Sequence, residues 1–215
     1  MQYEAVVARL ATLPETLPAP PAALMPVRTD GAWRSPRRLD APASARPAAV
    51  LVLIVPGDDG EAHVVLTERV DRGGHHSGEV SFPGGRAEPD DADPASTALR
   101  EAAEEVGLDP VSAEVRVVGL LEPFWIPVSD YRVTPVLAVA GRRPVLTPFP
   151  DEVARIVEAP VRAFLPDGRI DIVEATIRDW PLRYGAYPID GLQVWGATAR
   201  ILGQLGALLA VSDGV

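Results

Sequence analysis

Gly84–Leu108, GGRAEPDDADPASTALREAAEEVGL, joins a Gly-Gly turn to an acidic loop and then to a short helix. At about 100° per residue, Glu101, Glu104 and Glu105 fall within one arc of about 100° on that helix. Leu99, Ala102, Ala103 and Val106 fall on the other side, so the spacing predicts one apolar, buried face and one acidic face. Asp93 before Pro94 reads as an N-cap with proline at the first helical position. Gly107 stands where a left-handed C-terminal residue is needed. Like charges at this spacing weaken a helix in water. A divalent cation relieves that repulsion, and hard carboxylate oxygens suit Mg2+ or Mn2+. A bare Glu-x-x-Glu-Glu would read as a solvated acidic helix. The Gly-Gly turn, the Arg100-Glu101 pair and the closing Glu104-Glu105-Val106-Gly107 turn the reading to a metal platform for phosphate chemistry.

These residues resemble the Nudix box, G-x5-E-x7-R-E-U-x-E-E-x-G-U with U apolar. Gly85 begins it, and Arg100, Glu101, Ala102, Glu104, Glu105, Gly107 and Leu108 fill its second half. Asp91 stands where the box has Glu, and eight residues rather than seven separate it from Arg100. That longer loop is typical of the family's coenzyme A pyrophosphatase branch. The resemblance implies that Glu101, Glu104 and Glu105 bind the metals, helped by the Gly85 carbonyl. It implies that Arg100 pairs with the loop acid, here Asp91 or Asp90. It also implies the fold: α/β, a Nudix-type α/β/α sandwich around a mixed β-sheet.

Composition bounds the rest. A chain of 215 residues with 47% hydrophobic residues fits one domain with extensions and can bury a sizeable core. The reading divides it into residues 1–47, an N-terminal helix and Pro/Ala-rich arm, and residues 48–215, the Nudix hydrolase domain. A net charge of −10 argues against nucleic-acid binding, which needs a basic face. With no cysteine, disulfides, thiolate zinc sites and a cysteine nucleophile are excluded, and a total of three His argues against a His-rich zinc site. The apolar runs are too short or interrupted to span a bilayer, and the N-terminus lacks a signal-peptide pattern. A cytoplasmic protein with no membrane or nucleic-acid partner is expected, and a homodimer is compatible with the reading.

Residues Tyr3–Leu13 have helical apolar spacing, and Pro14–Pro47 reads as a solvated connector carrying Arg34, Arg37 and Arg38. AAVLVLIV from Ala48 and HVVLTER read as strands, as do EVSF, EVRVVGLL and YRVTPVLAVA. VEATIRDW and LRYGAYPI read as a hairpin, and Gly191–Leu209 as a closing helix with Trp195 in the core. Strands with intermittent helices imply an α/β sandwich.

Upstream of the box, Leu66-Thr67-Glu68-Arg69, then DRGGHHSGEVS, then Phe82-Pro83-Gly84-Gly85 resemble the motif that precedes the box in coenzyme A pyrophosphatases. Gly74 stands where that motif has a second Arg, and Arg72 lies two residues earlier. By the resemblance Arg69 clamps a phosphate, with His76, Phe82 and Gly84 as further substrate-binding positions; Arg69 and the His75-His76 pair otherwise read as surface groups. Downstream, the Val133-Thr134-Pro135 strand, PFPDEVARIVEAPV and Trp195-Gly196-Ala197-Thr198-Ala199 continue it to about Leu202. Glu152 falls where many Nudix enzymes place an extra acid that binds metal or activates water; its other reading is a charge satisfying a helix N-terminus.

The resemblance implies a metal-dependent pyrophosphohydrolase that splits coenzyme A or an acyl-CoA into 3′,5′-ADP and (acyl-)4′-phosphopantetheine. ADP-ribose or another nucleoside diphosphate derivative is the near alternative. The alternative of another class is a nucleotide-binding regulatory module without catalysis. The intact set Glu101, Glu104 and Glu105 favours the enzyme.

Overall fold

The structure, a computed structural model, describes residues 1–31, 41–70, 79–177 and 179–211. The chain opens with α1 (Tyr3–Leu10) and a two-residue strand, β1 (Val27–Arg28). Next come β2 (Arg46–Pro56), β3 (Ala62–Arg69), β4 (Val80–Ser81) and β5 (Gly84–Arg86), which lead into α2 (Pro94–Val106). Then follow β6 (Val115–Leu120), β7 (Phe124–Ile126), β8 (Tyr131–Ala140) and β9 (Val153–Pro160). Last are the hairpin β10 (Asp171–Ile177) and β11 (Trp180–Ile189), then β12 (Leu192–Val194) and α3 (Gly196–Ala210).

The run of branched residues in β2 lies at the centre of a mixed sheet, parallel to β8 and antiparallel to β3 and β5. A strand buried on both faces needs apolar residues at successive positions, and β2 supplies them. Ala49, Leu51, Leu53 and Val55 pack with Ala98, Ala102 and Val106 of α2. Val52 and Ile54 point the other way, toward Val6 and Leu10 of α1 and Leu202 and Leu205 of α3. Helices thus cover both faces of the mixed sheet, the expected α/β/α sandwich. A second, four-stranded sheet pairs β1, β10 and β12 with β11.

Two expectations and one alternative reading are corrected. The closing helix begins at Gly196, not Gly191. Asp190 and Gly191 have φ of 50° and 79°, a turn that returns the chain as β12 against β11 before α3 can start. The segment after Pro14 is not a free connector throughout. Leu24 is fully buried, the Pro18 carbonyl accepts from Gln204 Nε2 at 3.1 Å, and Val27–Arg28 adds a strand to β11. Residues 151–160 hold no helix: Val153–Pro160 is β9, paired with β3. No helix among the described residues is long and apolar enough to cross a membrane.

Candidate active site

The site lies where the central sheet splits. β3 pairs with the C-terminal end of β2, at Ile54–Pro56, and β5 pairs with the same edge lower down, at Ala48–Val50. Past that point β3 parts from β2 and runs on to Arg69 in the company of β9 and β4, leaving a cleft of about 370 Å³ between it and β5. The Gly-Gly turn makes this geometry possible. Gly84 has φ of 156°, and a Cβ there would lie 2.5 Å from the Ala49 carbonyl oxygen. A Cβ on Gly85 would lie 2.5 Å from Glu101 Oε1. Two bare backbones therefore let β5 close on β2 and let the Glu101 carboxylate lie against the strand.

α2 has the ends its sequence predicts. Asp93 Oδ1 accepts from Ser96 N at 2.7 Å, and Gly107 is left-handed at φ 64°. Its arginine ties helix, loop and strand together. Arg100 Nε and Nη2 donate to Asp91 at 3.1 Å each, Nη2 donates to the Arg86 carbonyl at 3.0 Å, and Nη1 reaches Glu101 and Glu104. The loop partner is therefore Asp91, which also accepts from Thr97 Oγ1 and Glu88 N. These bonds hold the Asp91 carboxyl well below the usual carboxylate range, Arg100 contributing most. A depressed acid stabilises the fold above its unfolded pKa of about 4 and loses that contribution as pH falls. Asp91→Asn should therefore lower Tm near neutral pH, and the gap to wild type should shrink below about pH 4. A gap that stays constant with pH would show that the charge does not matter.

The three helix carboxylates do not share one environment. The buried residues of α2 are Thr97, Ala98, Ala102, Glu105 and Val106, a stripe rotated toward the acids relative to the one expected from spacing, and Ala103 is exposed. Glu105 is only 4% exposed. Its Oε2 accepts from Gly84 N at 3.2 Å, and Arg69 Nη1 stands 3.7 Å from Oε1. Glu101 is intermediate and borders the cleft. The Glu104 side chain is 60% exposed and pairs with Arg100 outside the cleft lining. Among the described residues no three acids or imidazoles lie close enough to enclose an ion as they stand.

Burial pushes the Glu105 carboxyl up to about 7, with Glu101 and Glu152 adding and the Gly84 N–H and Arg69 opposing. Burial raises Glu101 as well, opposed by Arg100. For Glu105 the folded pKa stands above the unfolded value of about 4.5, so the folded chain holds a proton that the unfolded chain gives up. That stability is fully present below about 4.5 and is lost as pH rises through about 7. The Tm of the metal-free protein should fall from about pH 5 to about pH 8, and Glu105→Gln should flatten that limb. A limb equally steep in the mutant would assign the loss to another group.

Of the other expected positions, Arg69, Gly84, Gly85 and Glu152 all line the cleft. Glu152 sits in the turn before β9, so no helix N-terminus explains its charge. Phe82 is 2% exposed in the core shared by α1 and α3, so it supports the turn from beneath instead of reaching a ligand. His76 lies outside the described residues, as do Arg34, Arg37, Arg38, Arg72, Gly74 and His75. Arg86, Tyr131, Ala48 and Val133 also line the cleft and escaped the sequence reading. For Ala48, Tyr131 and Val133 the one signal was alternation along β2 and β8, which places them on a face that α2 does not cover, and Arg86 joins them only through the pairing of β5 with β2.

The NUDIX domain model matches residues 45–176. Nudix hydrolase 15, mitochondrial, of Arabidopsis thaliana is 42% identical over 164 residues, covering 72% of this chain and 55% of its own. Nudix hydrolase 22, chloroplastic, of the same plant is 42% identical over 175 residues, covering 75% and 55%. This chain thus spans about half the length of those two relatives, 55% of each. The uncharacterized Nudix hydrolase NudL of Yersinia pestis (strain Pestoides F) is 37% identical over 172 residues, covering 79% of this chain and 82% of its own. The domain match and the NudL coverage together place the box residues in a known frame: the chain belongs to the Nudix hydrolase family.

Proposed function

We propose that the chain is a metal-dependent pyrophosphohydrolase of nucleoside diphosphate derivatives, with coenzyme A or an acyl-CoA as substrate and 3′,5′-ADP and (acyl-)4′-phosphopantetheine as products. The catalytic unit is residues 48–215, with residues 1–47 as its helix and arm. The observation that supports this best is the convergence of Glu101, Glu105, Glu152 and the Gly84-Gly85 backbone on one cleft beside Arg69.

The donor set fits Mg2+ or Mn2+: carboxylate and carbonyl oxygens, with a buried acid whose charged form lacks full compensation. Glu101, Glu104 and Glu105 with the Gly85 carbonyl would hold the ions. When bound, divalent cations neutralise diphosphate oxygens and bring the pKa of water toward neutrality. Arg69 donates to a phosphate oxygen and orients the diphosphate over the acids. Glu152, whose carboxylate makes no ion pair among the described residues, takes the proton as water oxygen attacks phosphorus. The P–O–P bond breaks, and one phosphate leaves with the bridging oxygen. Arg100 and Asp91 keep the loop and α2 in register throughout.

Arg69→Ala should raise KM for CoA about tenfold, the loss of one charge-assisted hydrogen bond. The check compares kcat/KM for CoA, 3′-dephospho-CoA and ADP-ribose on wild type and mutant. CoA should rank first on wild type. If ADP-ribose ranks first and Arg69→Ala leaves every KM unchanged, CoA is the wrong substrate although diphosphate hydrolysis stands.

A further inference from the structure

The cleft has a second side that the catalytic reading does not use. Ala48 pairs with Arg86 on β5 and with Val133 on β8, so these side chains form one row on one face of the sheet. Arg46 and Tyr131 pair in the next row of the same face. Ala49, next along β2 from the first row, packs toward α2, so both rows, on the opposite face of the strand, point away from the helix that carries the carboxylates. Arg86, Tyr131, Ala48 and Val133 nevertheless line the same cleft as Glu101 and Glu105. The narrow glycine backbone of β5 connects the two sides.

The chemistry of this side is distinct. Arg46 Cζ lies 4.3 Å from the centroid of the Tyr131 ring, and its Nη2 donates to the Ser129 carbonyl at 2.7 Å. The ring is thus clamped from one side, leaving it preorganised against the small floor of Ala48 and Val133. Arg86 is exposed and makes no side-chain hydrogen bond or ion pair among the described residues. The other two arginines at the carboxylate side, Arg69 and Arg100, are engaged with Glu105 and Asp91. A guanidinium with no side-chain partner among the described residues, at the border of an apolar floor and an aromatic ring, suits a planar group that carries an anion.

We propose that Arg86, Tyr131 and Arg46 with the Ala48–Val133 floor form a subsite for the nucleoside arm of the substrate, the base against Tyr131 and a further phosphate on the ribose against Arg86. This rests on the diphosphate reading of the carboxylate side, which leaves Arg86 for a second anion.

The test is titration calorimetry of the full chain in excess chelator, with 3′,5′-ADP, AMP and 4′-phosphopantetheine as probes. Wild type should bind 3′,5′-ADP about tenfold tighter than AMP, and either nucleotide tighter than 4′-phosphopantetheine. Arg86→Ala should erase the preference of 3′,5′-ADP over AMP, and Arg86→Lys should keep part of it. Tyr131→Ala should weaken both nucleotides alike, by about tenfold, and Tyr131→Phe should restore them. Equal binding of 3′,5′-ADP and AMP by wild type would overturn the subsite. So would an Arg86→Ala loss shared equally by both nucleotides, which would place Arg86 on the 5′-phosphate. A preserved 3′,5′-ADP preference in a chain that hydrolyses no diphosphate would support the subsite and count against the catalytic reading alone.

Discussion

Glu105→Gln is expected to cut kcat on a diphosphate substrate by roughly 10³-fold and, at about pH 8, to raise the Tm of the metal-free protein by roughly 5 °C. Both effects have one cause. The carboxylate is buried between α2 and the Gly84 backbone, and its charged form is costly there unless a cation answers it. The amide keeps an oxygen that can accept from Gly84 N but removes the charge. Kinetics in saturating Mn2+ and thermal melts in chelator read the two halves separately. A folded mutant with turnover within about tenfold of wild type would remove Glu105 from the metal set.

The adjacent glycines should fail in opposite ways. In Gly84→Ala the new Cβ would lie 2.5 Å from the Ala49 carbonyl oxygen and 2.6 Å from Val50 Cα, at a φ of 156°. Both neighbours are backbone and cannot yield without parting β5 from β2, so a stability loss of about 2–4 kcal/mol is expected. In Gly85→Ala the nearest atoms to the new Cβ all belong to the Glu101 carboxylate, the far end of a flexible side chain. The fold should keep its stability to within about 1 kcal/mol while kcat/KM falls roughly 10²-fold, because the displaced carboxylate leaves the cleft. Denaturant melts and kinetics on the two purified variants check this. If Gly85→Ala keeps full activity, the seat of Glu101 against β5 is irrelevant to function.

Much of this was legible in the residues. Asp93, Pro94 and Gly107 bounded α2 to the residue, because capping chemistry is local. The apolar runs found β2, β3 and β8. β5 was seen only as a turn, since two glycines have little intrinsic strand preference and are held there by pairing with β2. β9 hid behind prolines, and β12 behind a turn set by Asp190 and Gly191. Helical spacing put the three acids on one arc but could not say how α2 rolls on the sheet. That roll buries Glu105 and exposes Glu104, and it follows from Ala98 and Ala102 seating against β2. The arginine side of the cleft depended on which face of β2 each strand presents, which no local pattern encodes.

The most direct measurement is hydrolysis of CoA by the metal-stripped full chain, with products identified by mass, in excess chelator and after adding Mg2+ or Mn2+. No turnover is expected in chelator, and with metal the expected products are equimolar 3′,5′-ADP and 4′-phosphopantetheine. Undiminished cleavage in chelator would contradict it, as would a folded, metal-supplied chain that splits neither CoA, an acyl-CoA nor ADP-ribose.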